Sequence, residues 1–175
     1  EQTNAAYEHP EITRQRNLTH NDMAVHLCEN KQYLLAITLF NKVIAAETQS
    51  ARVYDGTSVD ARFYVNRGDC YRALGKFVQA LADYHSAVEI VPNDWDVNTR
   101  LSMVRHAFGV RMFNDGQFQQ AEVEFTTAIK HNPKVSTYFA HRGNAMFYQL
   151  KYDLAAQDYA KALELDPSNV DVRYR

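Results

Sequence analysis

The sequence predicts an all-α fold, an α-solenoid of antiparallel helix pairs, on three observations. The stretch from Ser136 to Asn169 holds two amphipathic segments in 34 residues, and its order of small, aromatic and proline places recurs upstream. Of the six glycines in the chain, five fall on only two places of that period: Gly68, Gly109 and Gly143 on the eighth, Gly75 and Gly116 on the fifteenth. Pro92, Pro133 and Pro167 stop the second helix of a pair and open the next unit, since proline lacks the N–H that a helix interior needs.

The elements follow in order. Residues 1–16 contain Pro10 and no clean period and read as a lead-in. Residues 17–50 form a degenerate first repeat, with Ala24, Tyr33, Ala36 and Phe40 in place but Val43 and Thr48 where alanine and proline are usual. Residues 51–60 are an insertion in which Asp55-Gly56 supplies a turn signal and Thr57 with Asp60 resembles a capping box. This predicts a helix prolonged past Val53, a tight turn and an early entry into the next helix. Residues 61–94 are a near-ideal second repeat carrying Tyr64, Gly68, Tyr71, Gly75, Phe77, Ala80, Tyr84, Ala87 and Pro92.

Pro133 follows Pro92 by 41 residues, so residues 95–101 add about two helical turns and keep one apolar face, Val97, Leu101, Val104 and Phe108, in line. The third repeat, 102–135, carries Gly109, Gly116, Phe118, Ala121, Phe125, Ala128 and Pro133. The fourth, 136–169, carries Gly143, Tyr152, Ala155, Tyr159, Ala162 and Pro167. Ser168 with Asp171 starts a further helix over 170–175, and the chain reads as cut from a longer one.

Each recurrent place has a physical reason. The eighth lies where the two helices of a pair cross closely, and Ala36, Ala80, Ala121 and Ala155 give the matching small surface. The fifteenth ends the first helix, where positive φ is favoured. The rings of Tyr33, Phe77, Phe118 and Tyr152, with Phe40, Tyr84, Phe125 and Tyr159, are expected to fill the space between successive pairs. Burial of each contributes about 1.5–3 kcal/mol, and no repeat covers its own faces alone. Most of the 11 tyrosines are thereby assigned to core.

Composition narrows function. A net charge of −2 argues against a phosphate-tracking surface, so nucleic acid is not an expected partner. No apolar run reaches the roughly 18 residues of a membrane span. Cys28 and Cys70 are too few for a secreted disulfide scaffold and favour a reducing compartment, hence a cytoplasmic location. Asn17-Leu18-Thr19 matches a glycosylation acceptor triplet but precedes a helix. The seven histidines show no metal-ligand spacing with each other or with cysteine, and no phosphate loop or nucleophile motif is present. No catalytic residue, metal or cofactor is therefore expected.

What remains is an inner wall formed by first helices at the second, fifth, ninth, twelfth and thirteenth places. These are Leu18, Asn21, Val25, Cys28 and Glu29; Arg62, Val65, Asp69, Arg72 and Ala73; Met103, His106, Val110, Phe113 and Asn114; Thr137, Ala140, Asn144, Phe147 and Tyr148. Candidate binding residues among them are Arg62, Asp69, Arg72 and His106 for charged groups, Asn114 and Asn144 for peptide backbone, and Phe113, Phe147 and Tyr148 for apolar side chains. The expected partner is a protein or peptide. The competing reading is a structural rod segment that meets its neighbours through its ends and outer surface.

Over residues 17–169 the pattern resembles tetratricopeptide-repeat proteins. The resemblance implies a right-handed superhelix that binds peptides or partner proteins. Two subfamilies do not match. The carboxylate clamp of co-chaperones needs lysine and asparagine, asparagine, then lysine and arginine, where this chain has Asn21 and Val25, Asn66, then Met103 and Ala107. Shifted by one repeat, the places hold Val65, Asp69, Ala107, Thr137 and His141. The asparagine ladder of sugar-transferring repeat enzymes would fall on Asp22, Asn66, Ala107 and His141. The two-turn extension with Arg100, Leu101, Val104, Gly109, Phe113 and Phe118 resembles repeat proteins of ciliated cells, which implies an axonemal role.

Overall fold

A computed structural model describes residues 10–53 and 59–168, and these form eight α-helices with no strand among the described residues. They are α1 (Pro10–Glu29), α2 (Tyr33–Val53), α3 (Ala61–Ala73), α4 (Phe77–Ile90), α5 (Trp95–Asn114), α6 (Phe118–His131), α7 (Ser136–Tyr148) and α8 (Tyr152–Leu165). The chain divides into two compact units, Glu1–Pro92 and Asn93–Arg175. In the first, α1 packs on α2, α2 on α3 and α3 on α4; in the second, α5 packs on α6, α6 on α7 and α7 on α8.

The turn inside each pair is built the same way four times. Lys31, Gly75, Gly116 and Leu150 stand at the fifteenth place of their repeats with φ of 60°, 68°, 76° and 63°. Around Gly75, the N–H of Lys76 donates to the Tyr71 carbonyl (2.9 Å) and that of Gly75 to the Arg72 carbonyl (3.0 Å). This doubled bond satisfies carbonyls left over at the helix end. The same pair of bonds recurs at Gln32 and Lys31, at Gln117 and Gly116, and at Lys151 and Leu150. A Cβ at Gly75 or Gly116 would meet nothing within 4 Å, so dihedral angle and not space favours glycine there.

The eighth place is governed by space. An added Cβ would lie 2.6 Å from Phe125 Cε1 at Gly109, 2.7 Å from Tyr159 Cε1 at Gly143 and 3.0 Å from Tyr84 Cε1 at Gly68. The close crossing is thus set chiefly by the aromatic of the twenty-fourth place, and at Gly143 the carbonyl of the twentieth-place Ala155 would also lie 3.3 Å from an added Cβ. Phe40, Tyr84 and Phe125 are at most 1% exposed, as are Ala36, Ala80, Ala121 and Ala155. Tyr152, expected between pairs, is instead 54% exposed and leans edge-on against Phe147, because α8 carries no later described helix.

Helix starts differ from the sequence reading at two points, the first being that α1 already begins at Pro10, within the lead-in. The helix of the second repeat begins at Ala61 with Asp60 as its cap, whose Oδ1 accepts from the Arg62 N–H (2.9 Å). The Asp55-Gly56 turn and the Thr57 capping residue lie outside the described residues, as do residues 1–9 and Asp171. Asp94 caps α5 in the same manner through the Val97 N–H (2.9 Å), which brings Val97, Leu101 and Val104 into the core of the second unit.

Asn17 is not an acceptor site: it lies within α1, is 2% exposed, and its amide donates to Glu47 (2.8 Å). The two cysteines are joined. Cys28 on α1 and Cys70 on α3, 42 residues apart with Cα atoms at 6.3 Å, form a disulfide between neighbouring repeats of the first unit. Their placement on adjacent first helices makes them a crosslink.

Candidate functional site

The second unit sets α5 and α7 side by side, so the first helices of two repeats present one wall. Within it a pocket of about 150 Å³ is lined by Val110, Phe113 and Asn114 of α5, Phe125 of α6, and His141 and Asn144 of α7. Its floor exists because this repeat pairs Val110 at the ninth place with Phe125 at the twenty-fourth. The repeats on either side in sequence place a hydroxyl and an acceptor there: Tyr84 donates to Asp69 (2.6 Å) and Tyr159 to Asn144 (2.8 Å). Burial and the neighbouring Asp69 carboxylate push the Tyr84 phenol far above its ordinary value, keeping it a donor.

His141, which lines the pocket, is paired with His106. His106 and His141 stack with their planes 11° apart, and His106 Nε2 lies 2.7 Å from His141 Nδ1, one ring donating to the other. Phe125 and Tyr138 flank His106 at ring separations of 5.6 and 4.7 Å. Burial, followed by the proximity of His141, pulls His106 down to about 4, so it is neutral at pH 7. The first unit has the same junction in another chemistry: Asn66 Nδ2 donates to Asn21 Oδ1 (3.0 Å). In both units the fifth place of one repeat bonds the sixth of the next.

The rim carries side-chain amides and rings. Asn144 Oδ1 is held by Tyr159, and Asn144 is partly exposed; Asn114 is exposed at the end of α5. Phe113 packs edge-on against Tyr148 (5.5 Å), Tyr148 stacks on Phe118 (4.8 Å), and Phe147 stands edge-on to Tyr148 (6.0 Å). Phe147 and Tyr148 remain 40% and 49% exposed.

The candidate residues therefore separate. His106, Phe113, Asn114, Asn144, Phe147 and Tyr148 belong to the second unit, with Phe113, Asn114 and Asn144 lining the pocket and His106 behind it. Arg62, Asp69 and Arg72 belong to the first and are engaged internally: Arg62 with its own helix cap Asp60 (2.6 Å), Asp69 with Tyr84, and Arg72 with Asp69 (3.5 Å). At the places that make the pocket, the first unit has Val25, Cys28, Glu29, Phe40, Asn66 and Asp69, two of them acids and one tied into the disulfide. Val65 and Ala140, counted among inner-wall places, are core residues at 8% and 0% exposure. His141 and Phe125 line the pocket from the sixth and twenty-fourth places, outside the inner-wall places of the repeat.

Models of the tetratricopeptide repeat match residues 61–94 and 136–169. Human tetratricopeptide repeat protein 16 is 36% identical over 154 residues, a stretch that covers 88% of this chain and 16% of the length of that relative. The mouse protein of the same name is 34% identical over 155 residues, with 88% and 19% covered. Among solved structures, MamA from Desulfovibrio magneticus superposes with a TM-score of 0.57 at 19% identity over 88% of this chain and 77% of that one. A tetratricopeptide repeat protein from Parabacteroides merdae superposes at 0.61 and 18% identity, over 91% and 57%. The two structural likenesses concern the all-α solenoid fold alone.

Proposed function

The chain is a tetratricopeptide-repeat protein, a class of interaction scaffold, and on that premise we propose that it binds a peptide segment of a partner protein on the wall formed by α5 and α7. The observation that carries this reading is the pocket between those helices, apolar at its floor and edged by the side-chain amides of Asn114 and Asn144. Amides at a rim bond a peptide backbone in either direction, and an apolar cavity selects a side chain. The chain spans 16% of the length of the human relative, so other regions of such a protein would add contacts of their own.

A photo-crosslinking amino acid at Tyr148 tests the reading against one at Val123, which is exposed on α6. A discrete adduct from Tyr148 and none from Val123 is expected. The second reading, a structural segment joined through its outer faces, is favoured by Leu34 and Leu35 on α2 and Val78 on α4, which are 60–68% exposed. It predicts the reverse pattern of adducts.

A further inference from the structure

We propose that the α5–α7 pocket takes one uncharged apolar side chain, leucine or phenylalanine in size, from within a peptide chain, and does not take a C-terminal carboxylate. This rests on the reading of that wall as a binding surface and gives its ligand a chemistry.

Size is the first argument. The pocket measures about 150 Å³. A cavity of about that volume lined by apolar side chains accommodates a benzene molecule. A phenylalanine ring or a leucine side chain fits; a tryptophan overfills it, and an alanine leaves most of it empty.

Charge is the second. None of the six lining residues is Lys, Arg, Asp or Glu. The histidine that backs the pocket, His106, is neutral at pH 7, and its ring nitrogen is already bonded to His141. Of the arginines on the same two helices, Arg100 is held by Asp96 (2.8 Å), Arg105 by Glu124 (3.0 Å) and Arg142 by Asp158 (2.6 Å), while Arg111 is exposed on α5 and is not among the lining residues. A carboxylate placed here would lose its hydration with no Lys or Arg among the lining residues to replace it, a cost far above that of leaving it in water. Val110 and Phe125 offer the floor no polar partner, whereas Asn114 and Asn144 stand where the flanking peptide groups of an inserted residue would lie. The exposed rings of Phe147 and Tyr148 continue the apolar track along α7 past the pocket, as an extended segment with a second apolar residue requires.

The experiment is selection of the full chain against two random twelve-residue peptide libraries, one with acetylated and amidated ends and one with a free C-terminal carboxylate, with affinities read by fluorescence anisotropy. The expected result is enrichment in both libraries of peptides sharing one Leu, Ile, Met or Phe. Replacing that residue by alanine should weaken binding tenfold or more. Val110→Phe, which fills the cavity, should weaken it equally, and Asn114→Ala, at an exposed position that leaves the core untouched, should weaken it three- to tenfold. Binders that map to this wall but require the free carboxylate, or that lack a shared apolar residue, overturn the pocket assignment while leaving the wall as a binding surface. Binders unaffected by both Val110→Phe and Asn114→Ala overturn the wall itself.

Discussion

Arg142 grips Asp158 with two bonds, Nε to Oδ2 at 2.6 Å and Nη2 to Oδ1 at 2.7 Å, and extends Nη1 to Thr126 of the preceding repeat (3.3 Å). Arg67 does the same one unit earlier, bonding both oxygens of Asp83 and reaching Asn41 of the first repeat (2.7 Å). In each case an arginine at the seventh place joins the acid of the twenty-third within its repeat and a polar group at the twenty-fifth of the repeat before it. The third repeat has Phe108 at the seventh place, and Arg105, one turn earlier, serves Glu124 at the twenty-third. Asp83 and Asp158 are 4% and 6% exposed, so removing an arginine strands a buried carboxylate. Arg142→Ala should destabilise the second unit by about 3–5 kcal/mol in urea unfolding, while a joint Arg142→Met, Asp158→Leu replacement should cost far less.

Gly109 sits beneath Phe125 with no room for a methyl group. Gly109→Leu should cost about 1–3 kcal/mol through overpacking. Combining it with Phe125→Leu should recover part of that loss, giving a coupling energy that a distant pair would lack. Additive losses in thermal melts would show that the two residues do not meet.

The fifteenth place offers a test with opposite signs. Leu150 holds φ of 63° with its side chain 72% exposed, so it bears a left-handed conformation with no packing return. Leu150→Gly should stabilise the second unit by about 0.5–1 kcal/mol, and Gly116→Ala should destabilise it by about 1 kcal/mol. Denaturation midpoints of the two variants should move in opposite directions.

The histidine pair makes stability depend on pH. His106 titrates at about 4 when folded, against about 6.5 in an unfolded chain. Between those values the unfolded state binds more protons, so this group's contribution is complete above pH 6.5 and is lost as pH falls toward 4. At about 1.4 kcal/mol per pH unit the loss is on the order of 3 kcal/mol. His106→Phe should flatten that part of the profile relative to the parent, measured by urea unfolding at pH 4, 5.5 and 7.

The Cys28–Cys70 crosslink closes a span of 42 residues. Loop entropy alone assigns such a closure about 4 kcal/mol, and measured gains are often nearer 2–3 kcal/mol. Reduction, or replacement of both cysteines by serine, should lower the melting temperature of the first unit, measured by calorimetry.

The fold was legible because residue size repeats at fixed spacing. Gly68, Gly109 and Gly143 mark close crossings, and Gly75 and Gly116 mark left-handed turns. The period names faces, however, and does not say which side chains meet across repeats. Cys28 and Cys70 stand at the twelfth and tenth places, and His106 and His141 at the fifth and sixth, so neither pair shares a place that alignment of repeats would bring together. Arg62 and Arg72 looked available for ligands from their places alone, but acids within three residues of each hold them in their own helix.

Amide hydrogen exchange of the full chain with and without a selected peptide tests the central claim most directly. The account predicts slowed exchange along α5 from 103 to 114 and along α7 from 137 to 148, with α6 and α8 little changed on their exposed faces. Protection confined to the outer surface around Leu34, Leu35 or Val123, with α5 and α7 exchanging as they do in the free protein, would contradict it.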